Sequence, residues 1–197
     1  MGKGRIEAFS DGVIAIIITI MVLEMKVPHG DEWQNLTPLL PVFISYILSF
    51  INVAIYWNNH HHLLHAAHKV NTKVLWANTH LLFWLSLFPF VTGWMGENHF
   101  TTLPIILYGV VLLMAGTAYY ILSQALIQLH GKNSTLAIAV GRDKKGIASV
   151  VIYLLAIPLS FISGYFGLAL YAIVAAIWLI PDQRIEKKIV EQQNNQA

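Results

Sequence analysis

Between Gly12 and Leu23 the chain carries one hydroxyl, Thr19, and no charge, directly after the polar pair Ser10 and Asp11. A carboxylate at the mouth of so apolar a stretch restricts what the chain can fold into. In a soluble core both Ser10 and Asp11 would need buried partners. In a bilayer an ionisable residue beside an apolar span is expensive and turns toward other protein. Composition decides between the two settings. Of 197 residues, 56% are hydrophobic and 11% charged, against roughly 25% charged in ordinary soluble domains. So few charges cannot cover a soluble fold of this size, which points to an integral membrane protein with the lipid bilayer as its solvent. The absence of cysteine excludes a disulfide framework, a thiolate metal site and a cysteine nucleophile. A net charge of +2 is too small for a nucleic-acid partner. Lys3 and Arg5 before an apolar run imitate a signal peptide, but Glu24, Met25 and Lys26 stand where a small-residue cleavage pattern would follow. The segment reads as a retained first span.

Six apolar segments approach the roughly 20 residues needed to cross about 30 Å of hydrocarbon. They cover about 5–25, 39–65, 74–94, 102–129, 146–163 and 165–180. Pro28, Gly30 and Pro38 break the first loop, and Pro181 stops the last span. Pro41 and Pro104 fall in first turns, where proline is tolerated, whereas Pro89 predicts a kink late in the third span. Residues 130–145 read as a polar linker. The expected fold is an all-α membrane protein with six transmembrane helices per subunit, in one domain over 1–181, and a polar cytoplasmic tail over 182–197. Eleven of the twelve lysines and arginines fall on one side of this arrangement, with Lys26 alone opposite. By the positive-inside rule that side is cytoplasmic, so both termini are expected there, in a cell inner membrane or plasma membrane. No internal duplication is found. One small bundle leaves little room for a wide aqueous cavity, so a pore is more naturally built by several copies around an axis.

At about 100° per residue, Ile16, Thr19, Ile20 and Leu23 share one stripe of the first helix, and Ser10 and Asp11 point well away from it. The column suits a lipid-facing or core stripe. It also suits a narrow hydrophobic constriction that gates by dewetting. Late in the second span come Trp57, Asn58, Asn59, His60, His61, His62, His65 and His68. His61 and His65 are four apart, as in some helical zinc motifs, but no Glu lies among them and His60, His61 and His62 point three ways round the helix. Metal binding, a pH-sensing cluster and hydrogen bonding to Ser10, Asp11 and interfacial water are the open roles; His60 and Asp11 fall at similar depth. In the third span Asn78 offers an interhelical hydrogen bond to Ser10, Asp11 or Trp57.

Catalytic chemistry has little to rest on. Asp11 is the only carboxylate placed well into a span, without a second for paired acid–base work. There is no triad spacing, no glycine-rich phosphate loop and no Thr-Val-Gly-Tyr-Gly filter. No cofactor or metal is expected. The readings left open are a cation channel, a histidine-dependent membrane metal transporter or membrane enzyme, and a small membrane scaffold.

Arg5-x-x-x-Phe9-Ser10-Asp11 resembles the signature that opens the first span of transmembrane protein 175 potassium channels, in the prokaryotic branch with one six-span repeat per chain. Trp57-x-x-His60 late in span two, and Asn78 followed eleven residues on by Pro89, continue the resemblance in order. It covers about the first hundred residues by motif and the rest by span count. The resemblance implies a non-enzymatic, potassium-permeable homotetramer with the first helix lining a central pore. It places Ile16 at the main constriction, Ile20 and Leu23 in outer layers, and a Thr19 hydroxyl ring beside them. It implies packing and assembly roles for Arg5, Phe9, Ser10 and Asp11, with Trp57, His60 and Asn78 as companions. Eukaryotic members carry two repeats per chain; with one repeat here, four copies complete the ring.

Overall fold

The structure is a computed structural model that describes residues 2–131, 133–140 and 143–179; within these the regular structure is helical throughout. The first helix, α1, covers Lys3–Leu23. Its runs of isoleucine would be poor helix formers in water. In lipid the balance changes, because every backbone polar group must be satisfied within its own segment. Two short 3₁₀ turns, Trp33–Asn35 and Thr37–Leu39, lead into α2, Leu40–His65, with Pro41 in the first turn. Asn71 caps α3, Thr72–Ser86, by accepting the Val74 N–H at 2.9 Å.

The third apolar segment is one stretch, Thr72–Glu97, interrupted at a single residue two positions before Pro89. The break falls at Leu87, and α4 runs Phe88–Glu97. Pro89 explains the position: it has no N–H for the Leu85 carbonyl, and its ring crowds the preceding turn. Next, α5 covers Thr102–His130 and ends at Gly131, whose φ of 92° a residue with a side chain rarely adopts. The expected linker at 130–145 contains a short helix, α6, Thr135–Val140, at whose start the Ser134 hydroxyl accepts the Ala137 N–H. Asp143 caps α7, Lys144–Leu159, and α8 covers Gly164–Leu179.

Four stretches are long and apolar enough to cross a membrane: Lys3–Leu23, Trp33–His65, Thr72–Glu97 and Thr102–His130. The chain is thus a multi-pass membrane protein. The expected fifth span ends earlier than read from the sequence, at Leu159, and the sixth is as short as read. At 16 residues each, α7 and α8 extend about 24 Å, less than the roughly 30 Å hydrocarbon thickness. The expected tail, 182–197, lies outside the described residues.

Packing places α5 at the centre, against α3, α4, α7 and α8, while α1 leans on α2, α3 and α4 at the edge. Small residues set the closest approach. A Cβ added at Gly96 of α4 would sit 2.6 Å from both the Val42 Cα and the Ser45 Oγ of α2, so glycine lets these backbones touch.

Candidate functional site

The site is built around α1, whose two faces meet different surroundings. Ile6, Ser10, Ile14, Ile17 and Met21 form its buried stripe, spaced three and four apart. On the other side Ile16 is 58% exposed, Ile20 40% and Leu23 79%, and Thr19 is exposed beside them. Gly12 continues this open face toward the N-terminal end of α1, where an added Cβ would meet nothing within 4 Å outside its own helix backbone. The Thr19 hydroxyl donates to the Ile16 carbonyl at 2.9 Å. Its proton is therefore committed to its own helix, and its oxygen lone pairs are left for whatever lies outside.

The buried stripe is anchored by a polar chain through three helices. The Asn78 amide Nδ2 donates to Ser10 Oγ at 3.0 Å, and Asn78 Oδ1 meets His60 Nε2 at 2.7 Å. All three residues are buried. With the carboxamide so oriented, its oxygen can only accept, so His60 carries a proton on Nε2. Each such interhelical bond contributes on the order of 0.6–2 kcal/mol inside a membrane protein. Asp11 takes a different partner from the one its depth suggested: Trp57 Nε1 donates to its Oδ1 at 2.9 Å, and His60 turns to Asn78 instead. The sequence pattern set Ser10 and Asp11 together against the column. The structure separates them, with Ser10 buried and Asp11 exposed, because adjacent residues lie about 100° apart round a helix. Arg5 and Phe9 are exposed, and the Arg5 side chain has no ion pair or hydrogen bond among the described residues.

Beyond Trp57 the histidines form a stacked column along α2. The rings of Trp57 and His61, and of His61 and His65, are each 6.0 Å apart, and the His61–His65 planes are only 18° from parallel. Parallel stacking turns the ring nitrogens aside instead of toward a common point. Among the described residues no three His, Asp or Glu side chains converge as a metal site would need. The metal-transporter reading therefore has no ligand set to stand on there.

A second buried network, toward the C-terminal end of α1, was not foreseen. Thr92 Oγ1 of α4 donates to Ser49 Oγ of α2 at 2.6 Å, and Ser49 Oγ donates to the Tyr108 hydroxyl of α5 at 3.1 Å. Thr92 Oγ1 also approaches Met21 S of α1 at 3.9 Å. The signal was present in α2, where Ser45, Ser49 and Asn52 recur four and three apart in an apolar span and are all buried. Just past the C-terminal end of α1, Lys26 Nζ binds Glu97 Oε1 at 2.9 Å, joining the end of α1 to the end of α4. The hydrogen bond and charge of Glu97 hold the Lys26 ammonium above the usual lysine pKa.

Comparison with known proteins bears on this arrangement. Residues 5–89 match the family model described as endosomal/lysosomal potassium channel TMEM175. A potassium channel of Chryseobacterium sp. (strain P1-3) is 54% identical over 191 residues, spanning 97% of this chain and all of that one. A potassium channel of Streptomyces collinus is 35% identical over 99 residues, 48% of each chain. The crystal structure of a lysosomal potassium-selective channel TMEM175 homolog from Chamaesiphon minutus superposes with a TM-score of 0.77 at 27% identity. That match covers 90% of this chain and 96% of that one.

Proposed function

The chain belongs to the TMEM175 family, and from that premise we propose that it is a potassium channel with the open face of α1 lining its pore. One observation carries the reading: α1 keeps Ile16, Thr19, Ile20 and Leu23 uncovered while Ser10, Asn78 and His60 fasten its opposite face into the subunit. A lining shared between copies has to be open in each copy and held at a fixed rotation. In our reading four copies bring their columns together around one axis. Each copy contributes six spans, with α7 and α8 as a short pair, and holds both termini in the cytosol. The domain spans 1–181, in the cell inner or plasma membrane, and 182–197 is a cytosolic tail.

The mechanism follows from side-chain chemistry. A ring of four Ile16 side chains offers water no hydrogen bonds, so a narrow throat there empties and closes. Widening by a few ångströms, on the order of one water diameter, lets a partly hydrated cation through. Potassium sheds water more readily than sodium and passes more easily. The Thr19 oxygens, one turn outward and with their protons turned to the Ile16 carbonyls, present lone pairs to the cation. Asp11, Trp57, His60 and Asn78 act on packing and assembly, not on the ion.

Reconstitution into potassium-loaded vesicles tests the reading: the protein is expected to carry potassium flux, and silent vesicles would refute a channel. In bilayer recordings Ile16→Asn is expected to wet the throat and raise relative sodium permeability about tenfold, equal to roughly 1.4 kcal/mol of lost discrimination. Unchanged sodium permeability in a conducting Ile16→Asn protein would remove Ile16 from the constriction.

A further inference from the structure

The connection between α2 and α3, residues 66–71, is held to the end of α5 by one side chain. His130, the last residue of α5, binds the Leu126 carbonyl through Nδ1 at 2.9 Å. At Nε2 it accepts the backbone N–H groups of His68 at 3.0 Å and Lys69 at 3.3 Å. A carbonyl can only accept, so Nδ1 carries the proton; backbone N–H groups can only donate, so Nε2 carries none. Only neutral imidazole satisfies both sides, because the charged form has a donor on each nitrogen. Protonation would aim an N–H at two N–H groups.

Among the described residues no ion pair is formed with His130 that would stabilise its charged form. On the connection itself lie the His68 ring, 6.2 Å from the His130 ring, and Lys69. On α3, Lys73 is engaged with Gln128 of α5 at 2.7 Å. On α1, Lys3 Nζ binds the His65 carbonyl at 3.1 Å, just before the connection, and pairs with Glu7 at 3.6 Å. The described part of α6 contains no titratable side chain. Among the described residues His130 has no carboxylate partner.

We propose that His130 is a proton-operated latch: neutral, it fastens the α2–α3 connection to α5, and protonated, it lets go. The hairpin it fastens carries His60 and Asn78, which seat Ser10 of α1, so release slackens the helix pair that holds α1. The latch rests on this geometry alone and stands or falls separately from ion conduction.

Hydrogen–deuterium exchange of the full protein in lipid nanodiscs tests it, with each rate corrected for the pH dependence of intrinsic exchange. Histidine changes charge between pH 5 and 8, so protection is compared at pH 8 and at about pH 5.5. In the unaltered protein the His68 and Lys69 amides are expected to lose at least about fivefold in protection on acidification. His130→Gln keeps an accepting oxygen and loses the titration, so its protection is expected to be flat with pH. His68→Gln is expected to behave as the unaltered protein. A flat profile in the unaltered protein, or an acid loss that survives in His130→Gln, would overturn the latch. The first of these outcomes needs no variant to fold.

Discussion

The two faces of α1 are made of nearly the same residues and live in different worlds. Ile14 and Ile17 are 1% and 3% exposed, while Ile16 and Ile20 are 58% and 40% exposed. Hydropathy cannot tell these pairs apart, because all four are isoleucines in one uncharged run. What separates them is rotation about the helix axis, and the polar residues set it. Ser10 must reach Asn78 and Asp11 must reach Trp57, and satisfying both leaves one azimuth for the rest of the helix. In a bilayer a lipid tail is as good a neighbour for isoleucine as another side chain, so apolar contact alone would orient α1 weakly. A few hydrogen bonds therefore decide which isoleucines are packed and which stay open.

The largest effect that sharpens this contrast comes from placing one substitution on both faces. Ile14→Asn buries an amide without a partner in a packed site and is expected to cost about 3 kcal/mol or more, read as loss of folded protein in a detergent unfolding assay. Ile16→Asn is expected to change that stability by less than about 0.5 kcal/mol, since its side chain is open in the subunit. Equal losses at the two positions would break the comparison. Next in size is Asn78→Ala, which strands Ser10 and His60 together and is expected to cost about 2 kcal/mol. It should also loosen the rotation of α1, visible as broadened distance distributions between spin labels at position 23. An unbroadened distribution would mean that packing, not hydrogen bonding, orients the helix.

The smallest effects lie at the two ends. Trp57→Phe removes the donor to an exposed Asp11 and is expected to cost about 0.5 kcal/mol in the same unfolding assay. Past the C-terminal end of α1, Lys26 is 82% exposed at the side chain, so Lys26→Met should leave the unfolding midpoint unmoved near neutral pH. The sign of its pH dependence is set by the raised lysine pKa. The contact with Glu97 is complete below the ordinary lysine range and is lost only as pH rises past the raised value. A Lys26-dependent change in stability between pH 6 and 8 would contradict this.

Some of the architecture was legible in the residues and some was not. The first two apolar segments match α1 and α2 closely because long apolar runs bounded by polar loops leave a helix few choices. The third run is interrupted at Leu87. Pro89 signals disruption, but a sequence does not say whether the neighbouring backbone will bend or start a new helix. The end of α7 was overestimated because Phe161 and Ile162 in the turn after it are as apolar as the helix. At the site, Ser10, Asp11, Trp57, His60 and Asn78 stand out as polar groups in or beside apolar spans. Their pairing does not, because His60 and Trp57 both lie within reach of Asp11 in one dimension. Ser49, Thr92 and Tyr108 were harder still: they come from three helices far apart in sequence, and each alone reads as an ordinary small or aromatic residue. His130 gave no signal, because its partners are backbone amides, which every residue supplies.

What the sequence determined by itself is the solvent and the element type. Sparse charge and long apolar runs require a bilayer, and a bilayer requires backbone hydrogen bonds closed within each segment. What only the tertiary structure decided is which way each helix turns and whom each polar group meets. Four isoleucines of equal hydrophobicity became two packed and two open because Ser10 found Asn78 in three dimensions. That choice depends on distances between helices, and no local pattern encodes them.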